Sequence, residues 1–352
     1  MKIPLIYALH SGNLYGTERM ALSTAAGLLD RFSPLIMAPP GPALEEAKRR
    51  GYEVAPFQTA WQFAVALRRA LAASPRAAFL ATGVMHSGVC LALNKLYRRR
   101  IAHLHLVHGG AAEMLSYGRK RKLNGEPVEF VAVSRYVRER LLAHHVNAGQ
   151  IRVIENFLPE AQLAHCPKRE PFGMGKIRRL IVISRLDPEK RVGLLLDALS
   201  KDPEAKRFEV RVYGTGWQSD ALKQRAGEAG LNVSFVGFQA RVDECLAESD
   251  LLVHLCPVEP FGLAIIEAMA AGVPVLAPDA GGAGSLVEDG ESGFHFKADD
   301  ADHLNIRLRA IAELGADGLN RVVANGRHLL ATRFSEAARL GDYRRILTEK
   351  LA

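Results

Sequence analysis

Short, almost uninterrupted apolar runs recur along this chain in two series, and segments with helical spacing separate each run from the next. Runs rich in Val, Ile and Leu are typical of strands that are buried on both faces of a parallel sheet. The first series occupies residues 3–9, 34–39, 78–83, 103–108, 129–134 and 151–156, and the second occupies residues 179–184, 209–214, 233–238, 251–255 and 273–278. Alternating strands and helices in two series predict an α/β protein with two doubly wound, Rossmann-like domains.

A segment rich in helix and strand breakers separates the two series. Its breakers include Pro159, Pro167, Pro171 and Gly173. The sequence therefore predicts an N-terminal domain over residues 1–157, a linker over 158–176 and a C-terminal domain over 177–334. A last segment, about residues 335–352, has helical spacing, but the pattern alone does not indicate where it packs.

The composition is that of an ordinary globular protein, with 48% apolar and 24% charged residues. No apolar run approaches the roughly 18 residues of a membrane span, and the N-terminus predicts a first strand better than a signal peptide. The four cysteines are scattered, which favours reduced thiols in the cytoplasm over a zinc site or a disulfide framework. They are Cys90, Cys166, Cys245 and Cys256.

The charge is distributed unevenly between the two halves of the chain. Residues 1–170 contain 23 Lys and Arg against 12 Asp and Glu, whereas residues 171–352 contain 23 against 26. Basic clusters at residues 98–100 and 119–122 contribute to the excess in the first half. A basic half predicts an anionic partner. For either cluster alone, a solvated face that keeps the protein soluble is an equal alternative.

Residues 258–272 contain two carboxylates, Glu259 and Glu267, in a segment that is otherwise apolar or small and has no basic residue. A proline and a glycine near Glu259 place it in a loop, with Glu267 about two turns along the following helix. One interpretation is structural, with one glutamate capping the helix and the other on its solvent face. The other is a ligand site, because a carboxylate can accept hydrogen bonds from two neighbouring hydroxyls of a sugar or ribose.

The position of this segment favours the ligand site. It follows the apolar run at residues 251–255, at the carboxyl edge of the predicted sheet, where open α/β sheets bind ligands. The backbone N–H groups of Phe261, Gly262 and Leu263 would be unsatisfied donors at the start of the helix. Such donors suit a phosphate or another polar ligand.

Cations follow another predicted strand of the same domain. Arg185 comes just after the strand, and Lys190 lies five residues further on. A guanidinium fork and a mobile ammonium together suit a diphosphate. The alternative is a surface salt-bridge cluster of Arg185 with Asp187 and Glu189.

These segments resemble a known family. ISRLDPEK (183–190) and EPFGLAIIE (259–267), followed by AMAAGVPVLAPDAGG, resemble the signature of glycosyltransferase family 4. Members are retaining enzymes with the GT-B fold, in which two Rossmann-like domains face a cleft that holds the donor. The resemblance is stronger over residues 178–298 than over 1–157. It implies that the last helix crosses back onto the N-terminal domain.

The resemblance also implies roles for individual residues. Glu259 and Glu267 match the E-x7-E motif, in which the first glutamate contacts the donor sugar and the second the ribose. Arg185 and Lys190 match the pair that binds the diphosphate. His108 matches a histidine that reaches the donor sugar. Gly12 and Gly16, in the loop after the first strand, and Gly237 and Phe238, beside the base, are further expected donor-binding residues. Gly214 is added because it begins a Gly-x-Gly pattern, which alone is a weak signal of a nucleotide loop.

Two patterns suggest a metal, and both have a simpler explanation. His103 and His105 share a strand face and His108 is near them, but this stretch has no carboxylate or cysteine. We therefore expect His103 and His105 to be packed or solvated. Asp300 and Asp302 form an Asp-x-Asp sequence that opens a predicted helix, where capping is the better interpretation.

Three positions depart from the family pattern. Cys256-Pro257-Val258 stands where a serine is common before the first glutamate. Ser285 stands where a glutamate usually follows the Gly281-Gly282 pair, and Tyr15 replaces a frequent second glycine. The donor sugar is therefore not defined by the sequence.

Together, these observations predict a retaining glycosyltransferase that needs neither a cofactor nor a metal. Its partners would be a nucleotide diphosphate sugar and an anionic glycan or lipid-linked acceptor of cell-envelope polysaccharide or lipopolysaccharide synthesis, and not nucleic acid. It would be cytoplasmic, with peripheral contact at the anionic inner face of the plasma membrane. The alternatives are a nucleotide-sugar epimerase of the same fold and a non-catalytic GT-B module that binds glycan or nucleotide. A nicotinamide-dependent dehydrogenase is disfavoured because no Gly-x-Gly-x-x-Gly follows a strand.

Overall fold

The structure is a computed structural model that describes residues 2–110, 112–173, 177–239 and 241–352. The chain forms two compact units. The first contains Met1–Phe157 and Glu336–Ala352, and the second contains Leu158–Ser335. Each unit is built on a parallel sheet, which agrees with the predicted α/β class.

The sheet of the first unit has seven parallel strands in the order β3-β2-β1-β4-β5-β6-β7. The strands are β1 (Ile3–Ala8), β2 (Phe32–Ala38), β3 (Glu53–Pro56), β4 (Arg76–Ala81), β5 (Arg100–Val107), β6 (Glu129–Ala132) and β7 (Ile151–Val153). The helices between them are α1 (Gly16–Gly27), α2 (Pro42–Arg49), α3 (Ala60–Ala72), α4 (Val84–Tyr97), α5 (Glu113–Ser116) and α6 (Arg135–Ala143). Short 3-10 helices lie at Gly118–Leu123 and Ala148–Gln150.

The sheet of the second unit has six parallel strands in the order β10-β9-β8-β11-β12-β13. The strands are β8 (Arg179–Ile183), β9 (Glu209–Tyr213), β10 (Val233–Gly237), β11 (Leu251–Val253), β12 (Val275–Pro278) and β13 (Phe294–Phe296). The helices are α7 (Glu160–His165), α8 (Val192–Ser200), α9 (Ser219–Glu228), α10 (Val242–Ala247), α11 (Leu263–Ala271), α12 (Gly281–Gly284), α13 (Ala301–Ala312) and α14 (Ala316–Thr332). Short 3-10 helices lie at Pro188–Lys190 and Ala205–Arg207.

The strand order reverses once in each sheet. In the first sheet, β1 and β4 are neighbours, and the strands that follow each of them along the chain lie progressively further out on its own side. In the second sheet, β8 and β11 are the corresponding neighbours. The loops that leave such a pair of neighbouring strands diverge to opposite faces of the sheet, which opens a crevice at the carboxyl edge. Each unit therefore has one topological switch point, at β1 and β4 in the first and at β8 and β11 in the second.

The last helix, α15 (Glu336–Leu351), packs on β5, β4 and α1 of the first unit. Its buried side chains, such as Leu340 and Leu347, lie on one face. Gly27 at the end of α1 makes room for Leu340, because a Cβ atom there would overlap the leucine. Arg100 at the start of β5 donates a hydrogen bond to the carbonyl of Ala352 at 2.7 Å. The predicted return of this helix to the N-terminal domain is confirmed, and Arg100, although exposed, contacts its last residue.

Residues 158–173 of the predicted linker pack as part of the second unit, and residues 174–176 lie outside the described residues. Phe172 is buried in the core of that unit. The Arg169 guanidinium lies over its ring and pairs with Asp250 at 2.9 Å. Prolines mark this segment in the sequence, but it also carries an aromatic anchor and a buried ion pair that hold it to the unit.

Asp250, at the start of β11, is the acceptor for a group of donors. Its carboxylate accepts from the side chains of Arg169 and Arg179 and from the backbone N–H groups of Arg178 and Arg179. Burial alone would raise the pKa of Asp250, but these hydrogen bonds lower it to about 2. The carboxylate thus joins the predicted linker to the amino-terminal edge of the second sheet.

Candidate functional site

The candidate site lies at the switch point of the second sheet. The loop after β8 carries Arg185 and Lys190, and the loop after β11 carries Glu259 and leads into α11. Because β8 and β11 are neighbours, these two loops border the same crevice. The fold thus brings together three of the side chains that the sequence analysis assigned to diphosphate and sugar binding.

Lys190 and Glu259 form an ion pair in this crevice. Lys190 Nζ donates to Glu259 Oε2 at 2.6 Å, and the two side chains are 16% and 17% exposed. His254 Nε2 lies 3.8 Å from the same carboxylate oxygen. The segment around Glu259 has no basic residue of its own, and its partner comes from a loop 69 positions earlier.

Both members of the pair are charged near neutral pH. Burial alone would raise the pKa of Glu259, but the charge of Lys190 lowers it. Burial alone would lower the pKa of Lys190, but Glu259 raises it. Burial lowers the pKa of His254 to about 4, so this ring is neutral beside the pair. The site therefore holds a matched ammonium and carboxylate that could exchange partners with a ligand.

Arg185 is engaged elsewhere in this structure. Its guanidinium pairs with Asp187 and, at 2.8 Å, with Glu189, and its side chain is half exposed. This is the surface salt-bridge cluster that the sequence analysis kept as an alternative. The charge of Arg185 still contributes to lowering the pKa of Glu259, so the guanidinium lies close to the crevice.

Glycines fix the positions of both loops by close backbone contact. A Cβ atom on Gly216 would lie 2.5 Å from the carbonyl of Leu186, and one on Gly214 would overlap the carbonyl of Ser184. On the other side of the crevice, Gly281 packs against the carbonyl of Pro257, where a Cβ atom would lie at 2.6 Å. The sequence analysis assigns Gly214 to ligand contact, whereas in the structure its missing side chain accommodates a neighbouring loop.

The α11 helix begins at Leu263, directly after the loop of Glu259. Gly262 precedes it in the left-handed region with a φ of 106° and has no side chain that could cap the helix. Phe261 is buried and packs edge-on against Phe334, so its side chain belongs to the core.

Glu267 is the fifth residue of the helix, little more than one turn along instead of the predicted two, and it is only 5% exposed. A solvent-face role for Glu267 is therefore wrong.

Two aromatic side chains follow neighbouring strands at the same edge of the sheet. Phe238 follows β10 and Trp217 follows the Gly214–Gly216 turn after β9, and both are largely exposed. Open space surrounds Gly237, whose φ is 90°. Gly237 and Phe238 are among the predicted donor-binding residues and Trp217 is not, although its place directly after a strand-end glycine turn is visible in the sequence.

The remaining predicted residues, Gly12, Gly16 and His108, belong to the first unit. Gly12 follows β1 and packs against the loop after β2, where a Cβ atom would lie 2.6 Å from the carbonyl of Pro39. Gly16 is the first residue of α1. His108 follows β5, and burial lowers the pKa of His108 to about 4. Its Nε2 is buried, with no hydrogen-bond partner in the described part of the chain.

The other patterns that suggested a metal have structural explanations. His103 Nε2 and His105 Nδ1 lie 3.0 and 2.8 Å from the Ser87 hydroxyl, and both rings are buried. Asp300 caps α13 by accepting from the N–H of His303 at 2.9 Å. The residues that the structure describes include no group of three His, Cys, Asp or Glu placed to hold a metal ion. None of their helices is both long and apolar enough to cross a membrane.

Two family models match consecutive parts of the chain. The model described as Glycosyltransferase Family 4 matches residues 14–162, and the one described as Glycosyl transferases group 1 matches residues 167–329. The boundary between the two matches falls close to the boundary between the two units. Together they cover the candidate site and every strand of the two sheets except β1.

Curated relatives match over part of their length. The chain is 28% identical over 243 residues to a GDP-mannose-dependent alpha-(1-6)-phosphatidylinositol monomannoside mannosyltransferase of Mycolicibacterium smegmatis, covering 62% of each protein. It is 27% identical over 205 residues to the lipopolysaccharide core biosynthesis glycosyltransferase LpsE of Rhizobium meliloti, covering 57% of this chain and 58% of the relative. The alignments thus span less than two thirds of these relatives.

Solved structures match over almost the whole chain. Anabaena HepE in complex with UDP superposes with a TM-score of 0.84 at 22% identity, over 99% of this chain and 100% of that one. A glycosyltransferase from Rickettsia africae superposes with a TM-score of 0.82 at 19% identity, over 99% of each chain. These likenesses establish the fold, which is GT-B.

Proposed function

Since the chain belongs to the family 4 and group 1 glycosyltransferases, we propose that it transfers a sugar from a nucleotide diphosphate sugar to an anionic glycan or lipid-linked acceptor, with retention of configuration and without a metal. The observation that carries this proposal is the Lys190–Glu259 ion pair at the switch point of the second sheet. A diphosphate needs a cation there, and a sugar needs an acceptor of hydrogen bonds.

The pair can serve both needs because its members can exchange partners. A phosphate oxygen of the donor replaces Glu259 as the partner of Lys190. Glu259 is then free to accept hydrogen bonds from hydroxyls of the transferred sugar. Arg185 can turn from Asp187 and Glu189 towards the diphosphate, because its side chain is half exposed. The cations stabilise the charge that grows on the leaving group, and in many enzymes such electrostatic stabilisation makes the largest contribution to catalysis.

The reaction breaks the bond between the sugar C1 and the β-phosphate oxygen. The acceptor hydroxyl oxygen forms its bond to C1 on the face from which the diphosphate leaves. Its proton passes to a β-phosphate oxygen, so the products are the glycosylated acceptor and a nucleoside diphosphate. Lys190 holds the β-phosphate oxygen that takes this proton in place throughout the transfer.

The nucleoside lies along the carboxyl edge of the same sheet. Glu267, buried in α11, accepts from the ribose hydroxyls, while the first-turn N–H groups of α11 face the phosphates. The exposed rings of Phe238 and Trp217 offer faces on which a base can stack. UDP is bound by the structurally similar Anabaena HepE, and GDP-mannose is named for the mycobacterial relative, so both bases belong in the test.

The lipopolysaccharide and phosphatidylinositol relatives support an acceptor in the cell envelope. We place the enzyme in the cytoplasm, at the inner face of the plasma membrane. Exposed basic residues of the first unit, including Arg98, Arg119, Arg121 and Lys122, would contact anionic lipid there. Binding to anionic vesicles should then fall steeply with salt, and an absence of vesicle binding would reject the membrane contact alone.

A nucleotide panel tests the donor site. UDP, GDP and the corresponding nucleosides are titrated by calorimetry, with and without a chelator, against the native protein and Lys190→Ala. We expect the variant to lose at least about tenfold in diphosphate affinity, since a hydrogen bond between charged groups contributes roughly 1.5–3 kcal/mol. Nucleoside affinity should change little. Lys201→Ala, which removes an exposed cation of the same unit, is the matched control. Equal diphosphate affinity in all three proteins would reject the site.

The two glutamates should differ in their effects. Glu267→Gln should weaken the bare nucleoside diphosphate and the sugar donor alike. Glu259→Gln should bind the bare nucleoside diphosphate at least as tightly as the native protein, because the competing carboxylate is gone, and reduce kcat/KM by about tenfold or more. Equal behaviour of the two variants in both assays would contradict this division of roles.

A further inference from the structure

The switch point of the first sheet carries a polar cluster that the donor site does not use. His10 follows β1 and Thr82 follows β4, which is the neighbouring strand. The backbone N–H of His10 donates to the Thr82 hydroxyl at 3.0 Å, and its ring Nδ1 lies 2.8 Å from the same oxygen. This contact joins the two diverging loops at the carboxyl edge, where a second ligand is expected.

The α4 helix starts at this point with its amino-terminal end beside His10. Its N-cap is Gly83, which makes no side-chain cap, and the helix runs for 14 residues. A Cβ atom on Gly83 would lie 3.0 Å from His86 Nδ1 and 3.5 Å from the Cβ atom of His10. His86 is only 3% exposed, and its Nδ1 has no hydrogen-bond partner among the described residues. The unsatisfied His86 Nδ1 and the first backbone N–H groups of α4 thus both lie beside Gly83.

Lys120 lies in the 3-10 helix at Gly118–Leu123, which packs against α4, and its buried positive charge acts on His10. It is 7% exposed, whereas Arg119, Arg121 and Lys122 beside it in the chain are exposed. Its Nζ donates to the carbonyl of Leu115 at 2.9 Å. In the part of the chain that the structure describes, no carboxylate pairs with it. An unpaired buried ammonium is costly, so its retention calls for an anion from outside the chain.

The titratable groups that act on one another at this position are histidines and basic residues. Burial and then Lys120 lower the pKa of His10. Burial and then His10 lower the pKa of His86 and that of His108 to about 4. Burial, followed by Arg119, lowers the pKa of Lys120 to about 8, which still leaves it mostly protonated at neutral pH. Among the described residues, no carboxylate contributes to any of these four shifts.

We propose that His10, Lys120 and the amino-terminal end of α4 bind a phosphate or carboxylate group of the acceptor. This inference rests on the proposed function, since it assigns a second substrate to a transferase. The donor diphosphate has its own cations in the second unit, Arg185 and Lys190. A separate cation site in the first unit therefore suits the other substrate. We name this cluster, formed by His10, Gly83, His86 and Lys120, the α4 anion site.

An anion at the α4 anion site satisfies several groups at once. One oxygen accepts from the Lys120 ammonium, and another accepts from the first free N–H groups of α4, where the helix dipole favours negative charge. The His10 ring becomes protonated more readily beside the bound charge. A neutral acceptor would leave the ammonium unpaired.

Inorganic phosphate is the probe for this site, and the imidazole resonances of His10 report it by NMR. Phosphate should shift the His10 resonances of the native protein in a saturable way. Lys120→Met should weaken this binding at least about tenfold. Lys120→Gln, which keeps a donor for Leu115, should weaken it too. Lys48→Met, which removes an exposed cation of the same unit, should behave as the native protein does.

Stability gives a second readout. Because Lys120→Met removes an uncompensated buried charge, it should raise the midpoint of thermal unfolding in phosphate-free buffer, and added phosphate should stabilise it less than the native protein. A native protein whose His10 resonances do not move with phosphate would overturn the proposal. Equal phosphate affinity in native protein and Lys120→Met would overturn it as well.

Titration with UDP and GDP separates the two substrates. Lys120→Met should bind whichever diphosphate the native protein binds with unchanged affinity. A loss equal to that for phosphate would assign the cluster to the donor and reject an acceptor site. If the native protein binds phosphate at His10 but neither nucleoside diphosphate, the proposed donor chemistry fails while the α4 anion site stands.

Discussion

The Lys190–Glu259 pair allows a quantitative test by a double-mutant cycle in the absence of nucleotide. Lys190→Met leaves a carboxylate in a crevice where it is only 17% exposed, and Glu259→Gln leaves an ammonium that is 16% exposed. Breaking a fully buried pair costs roughly 3–5 kcal/mol. Because this pair keeps some exposure, each single substitution should lower the free energy of unfolding by about 3 kcal/mol. The double variant, which leaves no buried charge, should lose much less than the sum, giving a coupling free energy of about 2–3 kcal/mol.

Differential scanning calorimetry can measure this coupling. In a domain of this size 1 kcal/mol shifts the midpoint by about 2–4 °C, so each single variant should unfold about 6–12 °C below the native protein. The transition that belongs to the second unit is the one that a bound nucleoside diphosphate raises in the native protein. Single-variant losses that add within about 0.5 kcal/mol would refute the coupling of the two charges.

The pH dependence of the pair follows from its two pKa shifts. The pKa of Glu259 lies below its ordinary value of 4.5, so its contribution is present above about pH 4.5 and is lost as the pH falls through the folded pKa. The pKa of Lys190 lies above its ordinary value of 10.5, so its contribution is present below that pH and is lost as the pH rises further. The coupling should therefore be constant between these limits.

Three further substitutions test other parts of the structure. Asp250→Asn should remove a stabilisation of about 2 kcal/mol, because the folded pKa of about 2 lies below the ordinary 3.8. This stabilisation is present above pH 4 and is lost between pH 4 and 2. Urea unfolding at pH 7 and pH 3 measures it. Gly216→Ala should displace the loop that carries the cations and weaken diphosphate binding, whereas Gly227→Ala, with open space around it on α9, should not. Arg100→Ala should cost about 1 kcal/mol and speed hydrogen exchange in α15, because a hydrogen bond to the end of that helix is lost.

Of the thirteen strands in the described residues, eleven coincide with apolar runs that are visible in the sequence, and the two exceptions are both short. The β3 and β13 strands are the outer strands of their sheets and have only four and three residues. β3 has no fully buried residue, so it shows no apolar run, whereas β13 has two buried phenylalanines but is too short to stand out as a run. Their existence depends on backbone pairing with the neighbouring strand, which residue types do not encode strongly.

The candidate site was predictable in its location but not in its charge pairing. Strand ends and glycine turns indicate which loops meet at the carboxyl edge, and they correctly bring Arg185, Lys190 and Glu259 to one crevice. The pairing of Lys190 with Glu259 depends on the packing of two loops 69 residues apart, whereas the engagement of Arg185 with its acidic neighbours is local to one loop and was an alternative visible in the sequence. The same limit applies in the first unit, where a run of four basic residues looks uniform but Lys120 alone turns inward.

The two switch points differ in how their cations are compensated before any ligand arrives. In the second unit, Lys190 already has a carboxylate partner, so an incoming phosphate gains only the difference between its own contact and that of Glu259. Binding there becomes favourable when the rest of the ligand supplies further contacts and gives Glu259 new hydroxyl partners, which selects a complete nucleotide sugar over inorganic phosphate. In the first unit, Lys120 has only a carbonyl partner, so a bare anion gains the full contact. Phosphate alone should therefore bind more tightly at the α4 anion site, measured on Lys190→Ala, than at Lys190, measured on Lys120→Met. Equal affinities at the two sites would show that the Glu259 carboxylate does not compete.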